Sequence, residues 1–477
     1  MSRLSSLRSL TMHEDPSPSM NDVVAYDTEA SDVDIWHGQI LQFSCVKAND
    51  DLQEIEATDL HVRLLPYVVP APEALRVTGL DVASLDSNLR ISEYEAAAGI
   101  ERILKPSHGG MRTYLTFNGL RFDDGIIRTT LFRNLRYPYV TSGRQSRRVD
   151  LLPLVQFLGN AAPELITTSI VDGKRSWKLE TLCEANGIPI KAHDGLEDAR
   201  ATLALGRMIK ERAPWAWNLA LRNGQPAAVS RHLSTAFRER KAVWHFEHFG
   251  EPDIAPCAVL GTDNKGKWVL VDLRSDTDPA SVDLSDVKSR SLDGIRIIRA
   301  NSMPMLIEFE DARRFGRVMS ASHADLQAEK LLARDWRHLL KNFCEIGFED
   351  EEDTSSEKRL YESFPSNADK SHMEKFHRTA DWDKRAEIVF ADERLSDFAS
   401  RLVAMNTSRD DLFGPDALSP LGQAISRFEN GVMRRPYADK GMPWQTLEGA
   451  AESADESWLQ WARTHWPDAD LTTRMSL

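Results

Sequence analysis

Four cysteines are scattered through 477 residues, at Cys45, Cys183, Cys257 and Cys344, and no two form a Cys-x-x-Cys pair. That spacing argues against a disulfide framework and against a cysteine-built zinc site, and it fits unpaired thiols in a reducing cytosol. Long apolar runs are missing too: none approaches the roughly 20 residues that a membrane-crossing helix needs. The first 20 residues, rich in serine with a few arginines, lack the apolar stretch of a secretory signal. Positive charge is in deficit, since 59 Lys and Arg stand against 73 Asp and Glu, for a net charge of −14. The surface as a whole is therefore unsuited to non-specific nucleic-acid binding. A local basic channel is still open to it, and a metal site would itself need acidic residues.

What is present is the composition of an ordinary globular protein, 42% hydrophobic and 28% charged, in a chain long enough for two or three domains. Residues 1–20 read as a disordered tail, with Met12 and Met20 as alternative starts. Strand-like and helix-like patterns alternate from 21 to 213. Strands are expected at Val23–Glu29, Gln39–Val46, near Leu60–Leu64 and at Thr113–Phe117. Helices are expected at Ile91–Leu104 behind a serine cap, Asp123–Leu135, Lys178–Ala185 and Glu197–Arg212. Such alternation predicts an α/β domain, a mixed sheet flanked by helices. From 214 to 347 short β runs dominate (Ala255–Leu260, Trp268–Leu273, Ile295–Arg299), with a hairpin turn at Asp263–Lys267 and helical character after Ala321. Residues 348–357, Phe-Glu-Asp-Glu-Glu-Asp-Thr-Ser-Ser-Glu, read as an acidic solvated linker. Residues 358–477 read as a helical domain whose tryptophans belong to its core or its contacts.

The chemistry starts at Val23-Val-Ala-Tyr-Asp27-Thr-Glu29, an apolar strand ending in two carboxylates. Residues i and i+2 of a strand share a face, so Asp27 and Glu29 project side by side. Taken singly, such a pair also ends many ordinary strands. Asp123 opens a helix after Phe117-Asn-Gly-Leu-Arg-Phe122, where an acid is also a common cap. His193 and Asp198 lie five apart, about 140° round a helix, so His193 must come from the preceding loop if the two are to converge. Together they give four carboxylates and a histidine, each at a strand end or a helix start. That set suits phosphodiester cleavage by two divalent cations: hard cations take oxygen ligands, and a histidine near neutrality takes the proton of the attacking water.

These residues resemble the DEDDh exonuclease superfamily, with its ribonuclease-H-like fold, and more closely the bacterial exodeoxyribonuclease I family. The closer likeness rests on Asn118-Gly-Leu-Arg-Phe-Asp-Asp124, Phe132-Arg-Asn134 with Pro138-Tyr139, Arg148-Val-Asp-Leu-Leu152, Leu179–Ile188 and Ala192-His-Asp194 leading to Asp198-Ala199. Fainter similarity runs on through Val271–Leu273, Asn301–Leu306, Leu360–Phe364 and Phe390–Arg394. The resemblance implies an exonuclease domain followed by a small SH3-like β domain and a helical domain. It further implies 3′→5′ hydrolysis of single-stranded DNA to nucleoside 5′-phosphates, in DNA repair and recombination, by a monomeric cytoplasmic enzyme without membrane contact. Asp27, Glu29, Asp123 and Asp198 would hold two Mg²⁺ ions, with Mn²⁺ as an alternative, and His193 would be the general base. Asp123 rather than Asp124 takes the superfamily position after Phe122. Ala30 departs from the family, which often has Thr there. The rival readings are a DEDDh exonuclease on RNA or short oligonucleotides, and an inert nucleic-acid-binding scaffold.

One further feature stands apart from the family. Between Gly125 and Val149 there is no Asp or Glu, yet Arg128, Arg133, Arg136, Arg144, Arg147 and Arg148 occur, interleaved with Phe132, Tyr137 and Tyr139. Arg128, Arg133, Arg144, Arg147, Arg148, Tyr137 and Tyr139 are therefore expected to bind substrate, as charges for a single-stranded backbone and rings for its bases. A solvated basic helix and loop would read the same way. The resemblance also implies single-strand-binding protein as a partner, its acidic tail docked on basic residues, although one of those positions is Ala162 here.

Overall fold

The structure is a computed structural model and describes residues 21–106, 110–190, 194–247, 252–276, 291–292, 294–316, 318–337, 339–341, 354–407 and 417–469. His193, Cys344, the N-terminal tail and residues 348–353 of the expected linker lie outside these. The first sheet has five strands in the order β3-β2-β1-β4-β5. They are β1 (Asn21–Ala30), β2 (Ile40–Ala48), β3 (Glu54–His61), β4 (Met111–Thr116) and β5 (Ser146–Asp150). β1, β2 and β3 run antiparallel, whereas β4 and β5 are parallel to β1. The mixed sheet expected from the alternating pattern is present. β3 begins six residues before the segment read as a strand, and β5 lies inside the stretch read as basic helix and loop.

Helices cover both faces because β1 is apolar on both. Val23 and Ala25 enter one core with α4 (Leu151–Ala161) and α6 (Gly195–Arg212), and α5 (Leu179–Ala185) packs there too. Val24 and Tyr26 enter the other with α2 (Glu93–Leu104) and α3 (Asp123–Arg133). The local signals are legible. Ser92 and Glu95 form a reciprocal capping box on α2, which contributes about 1 kcal/mol. α5 ends where Gly187 takes φ 73, a left-handed position that favours glycine.

Beyond α7 (Pro214–Asn223) and α8 (Pro226–Glu239) lies a second, six-stranded sheet. After a short hairpin of β6 (Ile170–Val171) and β7 (Lys174–Arg175), its strands β9 (Asp253–Thr262), β10 (Trp268–Asp272) and β12 (Ile295–Ile298) carry the runs read from the sequence, and β8 (Val243–Glu247), β11 (Ser291–Leu292) and β13 (Met305–Ile307) are additional to them. The turn between β9 and β10 closes through Asp263, which accepts from the Lys265 and Lys267 amides at 2.9 and 2.7 Å. Residues 358–469 are helical where described. Their largest core joins Phe376, Phe398 and Leu402 to Phe132 and Leu135 at the end of α3. A second joins Trp458 and Trp466 to residues 64–85, so these tryptophans are core residues as expected. Glu357, read as the last residue of a solvated linker, is instead buried, because Arg401 and Arg435 both bind it.

Candidate active site

β1 outruns its parallel neighbour. Its register with β4 ends at Ala25 opposite Leu115, while its pairing with β2 continues to Ala30. The end of β1 therefore projects past β4, at the edge where open α/β sheets place their ligands. The pleat then sorts the last residues of β1. Asp27 and Glu29 continue the face that packs on α6, and Thr28 continues the face that packs on α3.

Asp198, in the first turns of α6, meets the first pair. Asp27, Glu29 and Asp198 each offer a carboxylate oxygen within 4.8 Å of the others. Gly195 lets the helix start come this near, since a Cβ there would stand 3.0 Å from Ser44 Oγ and 3.6 Å from Asp27 Oδ2. Asp123 approaches the same strand end, where its charge bears on both Asp27 and Glu29. Its Oδ1 accepts from the Thr28 amide at 2.8 Å and from the Thr28 hydroxyl at 2.6 Å. A side chain at Gly119 would collide with its other oxygen. The turn before Asp123 is held by Asp150, which accepts from the amides of Asn118 (2.7 Å) and Leu120 (3.3 Å) as well as Leu152 (3.0 Å). Asn118 sits at φ 61, a conformation Asn tolerates better than most residues.

The electrostatics of this group are one-sided. Burial pushes the Asp27 carboxyl well above the usual range, and Asp123, Glu29 and Asp198 push it further. Burial, then Asp198 and Asp123, raise Glu29 to about 7. Asp123 also rises to about 7 through burial, against the lowering effect of the Thr28 hydrogen bonds. Acids gathered so closely want a cation, and oxygen ligands at this spacing suit a hard divalent one. The residues present therefore fit a metal centre held by Asp27, Glu29 and Asp198, with Asp123 alongside. Four of the five residues expected at the site come together. Asp194 caps α6 by accepting from the Leu196 amide at 3.2 Å, and the helix begins only at Gly195.

Asp124 is a different group from its neighbour. Buried, it binds Arg148 at 2.5 Å, Arg128 at 2.5 Å and the Thr141 hydroxyl. Burial would raise its carboxyl, but the two arginines hold it below the usual range. Asp124 is thus an acid whose counter-charges the chain itself supplies, unlike Asp123.

The expected arginine stripe does not form. Arg133 is buried and grips Glu93 through Nε at 3.0 and 2.9 Å, with Gly38 O at 2.8 Å. Arg148 is consumed by Asp124 and the Asn301 carbonyl, Arg128 by Asp124 and Ser142, and Arg136 by Glu101. The window 125–149 has no acids of its own, so it looked like free charge; the partners come from α2 and from Asp124, outside it. Arg144 is exposed and Arg147 half-buried. The tyrosines fare better. Tyr137 is 53% exposed, and its ring lies 5.8 Å from that of Tyr139, centroid to centroid. Tyr139 meets Tyr361 at 6.4 Å and Phe364 at 5.5 Å, both well exposed. Tyr361 and Phe364 lie in the Leu360–Phe364 segment of fainter family similarity, but their place beside Tyr139, over 200 residues away, had no local signal. Ala162 is buried and offers no docking contact.

Residues 24–205 match the family described as Exonuclease. The ribonuclease-H-like sheet, with acids at the end of β1, the start of α3 and the first turns of α6, thus defines an exonuclease-class domain. The likeness extends past it. Exodeoxyribonuclease I of Haemophilus influenzae is 26% identical over 405 residues, covering 78% of this chain and 83% of that protein. The solved exonuclease I of Methylocaldum szegediense superposes with a TM-score of 0.77 at 22% identity, over 93% of this chain and 99% of that one. Exonuclease I of Escherichia coli, solved in complex with a dA16 oligonucleotide, gives 0.75 at 20% identity over 94% and 99%. By sequence and architecture together, the chain is similar to exodeoxyribonuclease I proteins over most of its length.

Proposed function

We propose that this chain is a 3′→5′ exonuclease that hydrolyses single-stranded DNA to nucleoside 5′-phosphates, as a cytoplasmic monomer serving repair and recombination. The observation that carries the reading is the convergence of Asp27, Glu29 and Asp198, with Asp123 fixed at the same strand end by Thr28. Their relatives' names support the activity, and the dA16 oligonucleotide in the Escherichia coli structure supports the substrate.

Asp27, Glu29, Asp123 and Asp198 would hold two Mg²⁺ ions, for which Mn²⁺ is an effective substitute. Such ions, when bound, stabilise the charge that grows on the phosphate oxygens and make the attacking water more acidic. The chain's own groups do the rest. His193 accepts the proton of the water as its oxygen bonds to phosphorus, and the bond from phosphorus to the penultimate 3′-oxygen breaks. The released mononucleotide keeps the 5′-phosphate, and the shortened strand regains a 3′-hydroxyl. Tyr137, Tyr139, Tyr361 and Phe364 offer stacking surfaces for bases upstream of the cut, with Arg144 and Arg147 as backbone contacts. Single-strand-binding protein is a partner, though not through position 162.

A strand-end assay tests the reading: single-stranded and duplex DNA, and matched RNA, labelled at either end and incubated with and without Mg²⁺. Metal-dependent shortening of single-stranded DNA from the 3′ end is expected. Preferred cleavage of RNA would shift the assignment to the other exonucleases, and uncut strands with bound Mg²⁺ would leave only a binding scaffold.

A further inference from the structure

Thr28 sits between the two acids of β1, yet it faces the opposite side of the sheet. Its backbone amide lies beyond the point where β4 stops pairing with β1, so it has lost its ladder acceptor. Asp123 Oδ1 replaces that acceptor, at 2.8 Å, and the Thr28 hydroxyl donates to the same oxygen at 2.6 Å. The side chain is buried, at 6% exposure, so water does not compete for either bond. Meanwhile Asp27, Glu29 and Asp198 gather their oxygens within 4.8 Å of one another, and Asp123 is not one of that group. The amide would tether Asp123 whatever residue stood at 28. Only a hydroxyl adds a second donor and so fixes the rotation of the carboxylate.

We propose that the Thr28 hydroxyl is a positioning group: it fixes the rotation of the Asp123 carboxylate beside the three-acid cluster, in the orientation that gives one of the two cations a ligand. The assignment rests on the two-cation reading above. It makes residue 28 more than a spacer between two ligands, because strand alternation lets one tripeptide serve both faces. Asp27 and Glu29 act directly from one, and Thr28 acts from the other through Asp123.

The test compares Thr28→Val, which keeps the shape and removes the hydroxyl, with Thr28→Ser, which keeps the hydroxyl. Mn²⁺ binding to metal-free protein is followed by calorimetry and by the spin resonance of the free ion, alongside turnover of a single-stranded oligonucleotide and thermal melting. Wild type should take up two ions. Thr28→Val should bind the weaker one about tenfold less tightly, the usual order for losing a hydrogen bond to a charged group. Its kcat should fall by a similar factor, with KM for DNA unchanged and the metal-free protein still folded and melting cooperatively. Thr28→Ser should restore both ion affinity and kcat. Two tightly bound ions in Thr28→Val would overturn the Thr28 assignment alone, as would a serine variant no better than valine. Fewer than two ions in the wild type would overturn the two-cation reading and this proposal with it.

Discussion

Two places in this molecule bury carboxylates, and they solve the problem in opposite ways. Glu357, 1% exposed, is bound by Arg401 at 2.5 Å and by Arg435 at 2.9 and 3.1 Å. Burial would raise its carboxyl, but the two guanidinium groups hold it well below the usual range. At the end of β1 the charges that bear on Asp27 come from Asp123, Glu29 and Asp198, and every effect raises it. The chain supplies its own cations at one site and acids at the other. Asp123 and Asp124 repeat the contrast in adjacent residues, raised and lowered respectively. An acidic cluster of this kind is completed from outside the polypeptide, whereas the Glu357 cluster is already complete.

That difference can be broken experimentally. Asp27→Asn should cut nuclease turnover by about 10³-fold, or about 4 kcal/mol of transition-state stabilisation, while leaving DNA binding intact. The same change should raise the melting temperature of metal-free protein, because it relieves repulsion; a drop would show that the acids are compensated after all. Glu357→Gln should do the reverse. Two buried arginines lose their counter-charge, at a cost of about 3 kcal/mol in denaturant unfolding, with kcat per folded molecule unchanged.

The pH response separates the sites more finely. Glu29 and Asp123, at about 7 when folded, bind more protons folded than unfolded between roughly pH 4 and 7. Stability of the metal-free protein should therefore fall as pH rises through that window and level off above it. Mg²⁺ should reverse the slope, since its ligands deprotonate over the same range; scanning calorimetry at pH 5 and 8, with and without Mg²⁺, reads both effects. The smallest effect concerns the substrate face. Phe364→Ala should weaken single-stranded DNA binding by about 1–2 kcal/mol, measured by fluorescence anisotropy, without altering metal affinity or the stability of either acid cluster.

The parts of this design that are local were legible in the sequence. The continuous apolar run Val23–Tyr26 announced β1, Ser92 announced α2, and the spacing of Asp27 and Glu29 placed both on one face. Convergence with Asp198 followed from chemistry and resemblance, because nothing local says that α6 crosses the end of β1. The arginine segment misled for the converse reason. Charge looks free when its partner is distant in sequence, as Glu93 is from Arg133 and Asn301 is from Arg148. Residues 146–149, read as part of a basic stretch, belong to the edge strand that pairs with β4, and the buried Arg148 is a strut. Thr28 escaped notice because its function depends on where β4 stops, a property of pairing rather than of pattern.

Arg148 also ties the first sheet to the second, through the Asn301 carbonyl, and Met303 rests its sulphur 3.1 Å from the Asp150 amide. A fragment ending at Ala213 would contain every acid of the proposed site, and the expectation is that it makes a poor minimal nuclease. Its Arg148 would lose one of two anchors and Asp150 its covering, and the loop that delivers Asp123 hangs from both. The catalytic unit is thus larger than the segment whose sequence announces it, and dissection at the apparent domain boundary would cut through its foundations.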